Sequence, residues 1–220
     1  MKFGKRNAAT GGDGHGSLVS SAVLALVVIW LFICLLVGWY WSSEPDLEPV
    51  AGAPQPEMVN GEYTARTLRA VVQTLLEKPG GYLSNDIMPP GLWLDNMPRW
   101  EYGVLVQVRD MTRALRRDMA RSQSQSTEDR DLAKAEPRLH FDNNSWAMPA
   151  SESEYRDGIR SLDSYIERLQ RGEADFYSRA DNLSSWVGDV STRLGSMSQR
   201  LSASVGRAPL TTGGKLGETT

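Results

Sequence analysis

The stretch Leu18–Trp41, LVSSAVLALVVIWLFICLLVGWYW, constrains this chain more than any other feature. It carries no charge over 24 residues, long enough at about 1.5 Å per residue to cross a hydrocarbon core of roughly 30 Å. Trp39, Tyr40 and Trp41 mark its exit with amphipathic rings of the kind that settle at a membrane–water interface. Lys2, Lys5 and Arg6 precede it, whereas Glu44, Asp46 and Glu48 are the nearest charges after it and Arg66 is the first basic residue. Such flanks predict a cytoplasmic N-terminus and place everything after Trp41 on the far side. A cleaved signal peptide fits less well, because the small-residue triplet Ala51-Gly52-Ala53 lies far downstream and is followed by Pro54. Ile33, not a small residue, precedes Cys34, against a lipoprotein signal. A buried core helix rarely stays charge-free on every face for so long. The stretch reads as a membrane anchor.

Beyond the anchor, 21 basic residues stand against 26 acidic ones, so nothing suggests the basic face that a nucleic-acid partner wants. The sole cysteine, Cys34, lies inside the anchor. An exported domain without cysteine forms no disulfide and holds together by packing. It also has no thiolates for an iron–sulfur cluster, thiolate-bound zinc or covalently attached haem.

Residues 1–17 are glycine-rich and polar and are expected to be a disordered cytoplasmic tail, with His15 solvated. Ser17, Ser21 and Ala25 recur every fourth residue, a small-residue face that lets helices approach, which leaves self-association open. Residues 42–61 carry four prolines and read as an extended linker. A helix is predicted over Thr64–Lys78, capped by Thr64, with Leu68, Val71, Val72, Leu75 and Leu76 as its apolar stripe. Pro79-Gly80-Gly81 stops it. Tyr82–Arg99 has no period and three prolines, yet holds too many large apolar residues for a free linker. It reads as an ordered loop packed on the helices.

Trp100–Arg121 is the second predicted helix, with Trp100, Val104, Val108, Met111, Leu115 and Met119 as its stripe. In Ser122–Ala150, Ser126 with Glu128-Asp129 is expected to open one or two helical turns ending before Pro137, and Phe141, Trp146 and Met148 are apolar anchors. Ser151–Arg171 is the third helix, with a Ser151-x-x-Glu154 capping box and a stripe of Tyr155, Ile159, Leu162, Ile166 and Leu169. Phe176–Val205 is the longest. Phe176, Ala180, Leu183, Val187, Val190, Leu194, Met197 and Leu201 step four-three throughout, a heptad seam about 39 Å long. That seam is expected to pack on the other three helices, with pairing to another chain as the alternative. Residues 207–220 read as a disordered tail. The fold class is therefore all-α: a transmembrane helix over 18–41, then an antiparallel helical bundle over 62–206 with one long heptad-patterned helix.

The segments GWYWSSEPD, KPGGYLSND, PPGLWLDNMPRWEYGVLVQVRD, RALRRDMARSQSQSTEDRDLAKAEPR, FDNNSW and RLGSMSQRLSASVG, spread over Gly38–Gly206, are similar to an uncharacterised family of proteobacterial inner-membrane proteins, domain of unknown function 2333. The resemblance implies an inner-membrane location and a periplasmic helical domain, without an activity. It also implies a further C-terminal helical portion where this sequence has a low-complexity tail. Without that portion, apolar stripes are expected to lie exposed.

For chemistry, the exported part offers one histidine, His140, beside Phe141 and Asp142. It has no nucleophile-elbow sequence, no phosphate-binding loop and no dinucleotide fingerprint. No zinc set can be built on one histidine, so neither metal nor cofactor is expected. The one constellation joins Tyr82, Asp86, Trp93, Asp95, Trp100, Glu101 and Tyr102. Rings interleaved with carboxylates suit a sugar, peptidoglycan in the periplasm, where rings stack on pyranose faces and two carboxyls flank a bond. Against this, Trp93 and Trp100 fill a core and Asp95 or Asn96 caps the second helix. The basic set Arg109, Arg113, Arg116, Arg117 and Arg121 reads as a solvated face, with anionic headgroups or an acidic partner as the alternative. The sequence thus favours a non-catalytic scaffold or accessory component of a cell-envelope assembly, in contact with the bilayer and with a protein partner or a second copy. The alternative is a peptidoglycan-binding or glycan-active protein using residues 82–102.

Overall fold

The computed structural model describes residues 14–45, 53–121 and 127–207; the side chains of residues 14–19 and 205–207 lie outside the description. Residues 1–13 and 208–220 of the expected tails, the side chain of Ser17 on the small-residue face, part of the expected linker and the helix opener Ser126 therefore fall outside it. Residues 14–17, expected in the N-terminal tail, are instead the first turn of a helix, and residue 207 is helical as well. Six α-helices are present, and no strand occurs among the described residues: α1 (Gly14–Trp41), α2 (Glu62–Glu77), α3 (Asn96–Ala114), α4 (Leu132–Leu139), α5 (Ser151–Gln170) and α6 (Ala180–Arg207). A short 3₁₀ turn covers Gly91–Trp93, and a wide π-turn, Leu115–Met119, prolongs α3.

Helices α2 to α5 form the bundle in cyclic order, and each neighbouring pair runs antiparallel. Arg69 meets Asp163 and Gln170 meets Glu62, fixing α2 against α5. Arg138 meets Glu154 while Arg168 holds Asp131, which sets α4 against α5. Arg109 donates to the carbonyls of Leu139 and Phe141, and Arg116 pairs with Glu136, setting α3 against α4. Between these helices Leu68, Val72, Leu75, Leu105, Leu115, Leu132, Leu139, Tyr155, Leu162 and Tyr165 form one buried core. The predicted stripes of the first and third helices are buried there except at Val71 and Ile159, which are half-buried at its edge.

Five local expectations are corrected. Helix α2 opens two residues before Thr64, because Gly61 takes a left-handed turn (φ 85°) and Glu62 reaches back to accept the Val59 N–H at 3.1 Å. In α3 the fully buried row is Met97, Glu101, Leu105, Val108 and Thr112; of the expected stripe Val108, Leu115 and Met119 are buried, whereas Trp100, Val104 and Met111, one step around the helix, are only half-buried. Helix α4 runs through Pro137 instead of stopping before it. Asp129 Oδ1 accepts the Asp131 and Leu132 N–H groups at its start, and Arg109 ties down its far end; these outside bonds offset the one the proline cannot make. The capping box at Ser151 does not form: Ala150 is the cap residue, Ser151 Oγ bonds the carbonyls of Asp142 and Ser145, and Glu154 pairs with Arg138. Trp146 and Met148 are exposed, so only Phe141 anchors that loop to the core.

The largest correction concerns the last helix. Phe176–Arg179 is a lead-in and α6 starts at Ala180. Asn60 Nδ2 donates to the Phe176 carbonyl at 3.2 Å, and Tyr177 N donates to the Met119 carbonyl at 2.6 Å. Asn182 then reaches the Asp118 carbonyl and Arg193 pairs with Asp110, so α6 lies antiparallel along α3. Only one flank is engaged. Val187, Leu194, Met197 and Leu201 of the heptad seam are exposed, and so is much of Leu183 at the rim of the groove beneath α6, contrary to the expectation that they pack on the other helices; Phe176 and Val190 are the half-buried members of the seam.

Candidate functional site

Lys78, the last residue before Pro79-Gly80-Gly81, turns back at the end of α2. Its Nζ donates to the Gly81 carbonyl and lies 2.5 Å from Glu101 Oε1, and neither side chain of this pair is exposed at all. Glu101 also accepts the N–H groups of Leu83 at 2.8 Å and Ser84 at 2.7 Å, and the Ser84 hydroxyl. A carboxylate this deep persists because a cation and three further donors replace its lost water. It fastens the 81–84 loop to α3.

Tyr82 is buried beside this pair. Its ring meets Tyr155 edge-on at 5.5 Å, its hydroxyl donates to the Asn143 carbonyl at 3.1 Å, and burial holds its phenol well above the ordinary value. Asn85 donates to the Ser145 carbonyl at 2.9 Å and to Glu152 Oε2 at 2.8 Å. The Asp86 carboxyl is pushed up by burial and by the charges of Glu152 and Glu101. It packs so closely on Gly91 that a Cβ there would come within 2.1 Å of Asp86 Oδ2.

The other residues of the expected constellation lie elsewhere. Trp93 is half-exposed and meets Trp30 of α1 edge-on at 6.3 Å. Asp95 occupies the cap position of α3 without a capping bond and pairs instead with Arg99 at 3.0 Å; Asn96 reaches the Ser42 hydroxyl at 2.7 Å. Trp100 packs half-buried against the core, and Tyr102 points to solvent. The structure thus gathers Tyr82, Asp86 and Glu101, and sends Trp93, Asp95, Trp100 and Tyr102 in separate directions. Lys78, Ser84, Asn85 and Glu152 complete the inner cluster. The spacing of Glu101 from Met97 and Leu105, four residues each way on an apolar row, is the sequence signal that marks it as buried.

The basic set is largely engaged within the bundle. Arg109 caps the end of α4, Arg113 lies 3.5 Å and Arg116 2.8 Å from Glu136, and Arg116 also meets Glu128. Arg113 Nη2 donates to His140 Nε2 at 2.9 Å, which leaves Nδ1–H to donate to the Glu136 carbonyl at 2.9 Å. Burial, with the charges of Arg113 and Arg109, lowers the His140 pKa and keeps the ring neutral.

A second feature lies beneath α6: an apolar cavity of about 690 Å³ between α2, α3 and α6, lined by Leu68, Val71, Met111, Phe176, Leu183 and Trp186. Helix α1 supplies a third. Ser20–Trp41 is long and apolar enough to cross a membrane, as an anchor or as a signal sequence, and nearly all of it is exposed.

An apolar N-terminal helix followed by an all-α bundle defines a class, a helical domain on one apolar helix. Within that class the chain belongs to the family described as an uncharacterized protein conserved in bacteria, domain of unknown function 2333, whose profile matches residues 15–219. No curated protein and no solved structure matches it.

Proposed function

We propose that this protein is a bitopic component of the bacterial inner membrane, anchored by α1, whose periplasmic bundle works by contact as a scaffold. The observation that carries this reading is the exposed seam of α6. Val187, Leu194, Met197 and Leu201 hold a heptad spacing suited to a partner helix, yet none is covered by the described residues. A second copy is the occupant the seam fits best. Identical heptads are in register with one another, and the flank not engaged by α3 carries Ser184, Ser191 and Ser198, with no charge to repel a like helix. The anchor supports the same reading by confining copies to one plane, which raises their effective concentration.

The glycan reading finds less support. Of its carboxylates, Glu101 is sealed in an ion pair, Asp86 packs against Gly91 and Asp95 is turned to Arg99, while Trp93 leans on Trp30 of α1. Crosslinking in membranes tests the proposal. In a Cys34→Ala background, Leu194→Cys is expected to give a covalent dimer with a bifunctional maleimide, and Ser153→Cys on α5 is expected not to. A Leu194→Cys protein that stays monomeric, with no other protein attached, would refute the scaffold reading.

A further inference from the structure

We infer that the turn Ile87–Leu94 is a second membrane-contacting element, inserted into the bilayer beside α1. The inference rests on the reading of α1 as a membrane span. The segment IMPPGLWL carries no charge and lies between Asp86 and Asp95. Ile87, Met88, Leu92 and Trp93 are all more than half exposed, Met88 at 72 %, so the turn presents apolar side chains that the bundle does not use.

Its position decides what covers them. Trp93 meets Trp30, and the backbone at Gly38 approaches Pro90 so closely that a Cβ there would come within 3.4 Å of it. Cys34, between those two levels, is buried. The turn therefore lies along α1 from residue 38 back to residue 30, about 12 Å of helix axis. Those same α1 residues belong to the apolar segment Ser20–Trp41. A span that carries its C-terminal half into hydrocarbon carries the turn with it.

The backbone suits that surrounding. Leu92, Trp93 and Leu94 N–H groups donate inside the turn, to the carbonyls of Met88, Pro90 and Gly91, and Pro89 and Pro90 bring no N–H at all. Few donors remain to be stranded away from water. The Asp95–Arg99 pair marks where the polar surface resumes. The partner is thus the acyl region of a bilayer. A protein ligand would have to reach the same side chains past α1 and the surrounding lipid.

Depth-dependent quenching tests this. The full chain, Cys34→Ala with one added cysteine carrying an environment-sensitive fluorophore, is reconstituted in phosphatidylethanolamine–phosphatidylglycerol vesicles containing nitroxide-labelled acyl chains. Met88→Cys and, as a second position, Ile87→Cys are expected to be quenched several-fold more than Ser153→Cys on α5, and to approach Phe32→Cys on α1. Quenching at 32 with positions 87 and 88 behaving like 153 would overturn the inference while leaving the anchor in place. Loss of quenching at 32 as well would remove the span itself, and the inference with it.

Discussion

At the scale of single residues, two glycines in helix interiors show opposite reasons for the same residue. Gly158 of α5 lies where α4 crosses, and a Cβ there would sit 2.8 Å from Cγ and Cδ2 of fully buried Leu139. Gly188 of α6 has nothing within 4 Å. Gly158→Ala is therefore expected to destabilise the domain by about 1–3 kcal/mol, as overpacking does. Gly188→Ala is expected to stabilise α6 by about 0.5–1 kcal/mol, since alanine loses less backbone freedom. Urea unfolding for the first and helix content on heating for the second, both in mild detergent, measure these. His140 gives a pH prediction. Folding lowers its pKa below the ordinary 6.5, so the native state takes up the proton less readily than the unfolded chain. Its contribution is complete above pH 6.5 and is lost as the pH falls from there through the lowered native value. The stability advantage of the natural protein over His140→Gln should be larger at pH 7.5 than at 5.5, and the His140 ring should titrate below 6.5 by NMR. An advantage that grows on acidification would contradict the assignment.

At the scale of elements, the buried Lys78–Glu101 pair joins the end of α2 to α3 and holds the 81–84 loop between them. Lys78→Met removes the cation that faces buried Glu101, which costs about 3–5 kcal/mol. The double variant Lys78→Met/Glu101→Gln should cost less than the sum of its single changes, because the pair is one unit; strict additivity in urea melts would count against it. This pair also shows where elements were hard to read. An apolar row in α3 interrupted by a glutamate looks like a solvent face, so the expected stripe ran through Trp100, Val104 and Met111 and shared only Val108, Leu115 and Met119 with the buried face. At α4, Pro137 read as a stop, because the arginine bonds that compensate it come from α3. At α5, Ser151 had capping spacing, but the 142–145 loop competes for its hydroxyl. Each miss is a local rule overruled by a distant partner.

At the scale of the whole molecule, the bundle of α2 to α5 is closed by its own core, whereas α6 is held by its lead-in and one flank. Leu194→Asp should therefore leave the unfolding midpoint of the bundle unchanged and abolish only contacts between chains. A drop of more than about 1 kcal/mol, as removal of a core leucine produces, would mean that the seam is covered in solution by this chain itself. The amino-acid sequence by itself determined the apolar helix, the all-α class, the core stripes of α2 and α5 and the heptad spacing of α6. Those follow from composition and period, which each segment carries alone. Only tertiary structure decided that Glu101 is buried, that the expected aromatic–carboxylate set is split, that Ile87–Leu94 lies along α1, and that the α6 seam faces outward. Those depend on which surfaces meet, and a periodic pattern says that a face is apolar without saying what covers it.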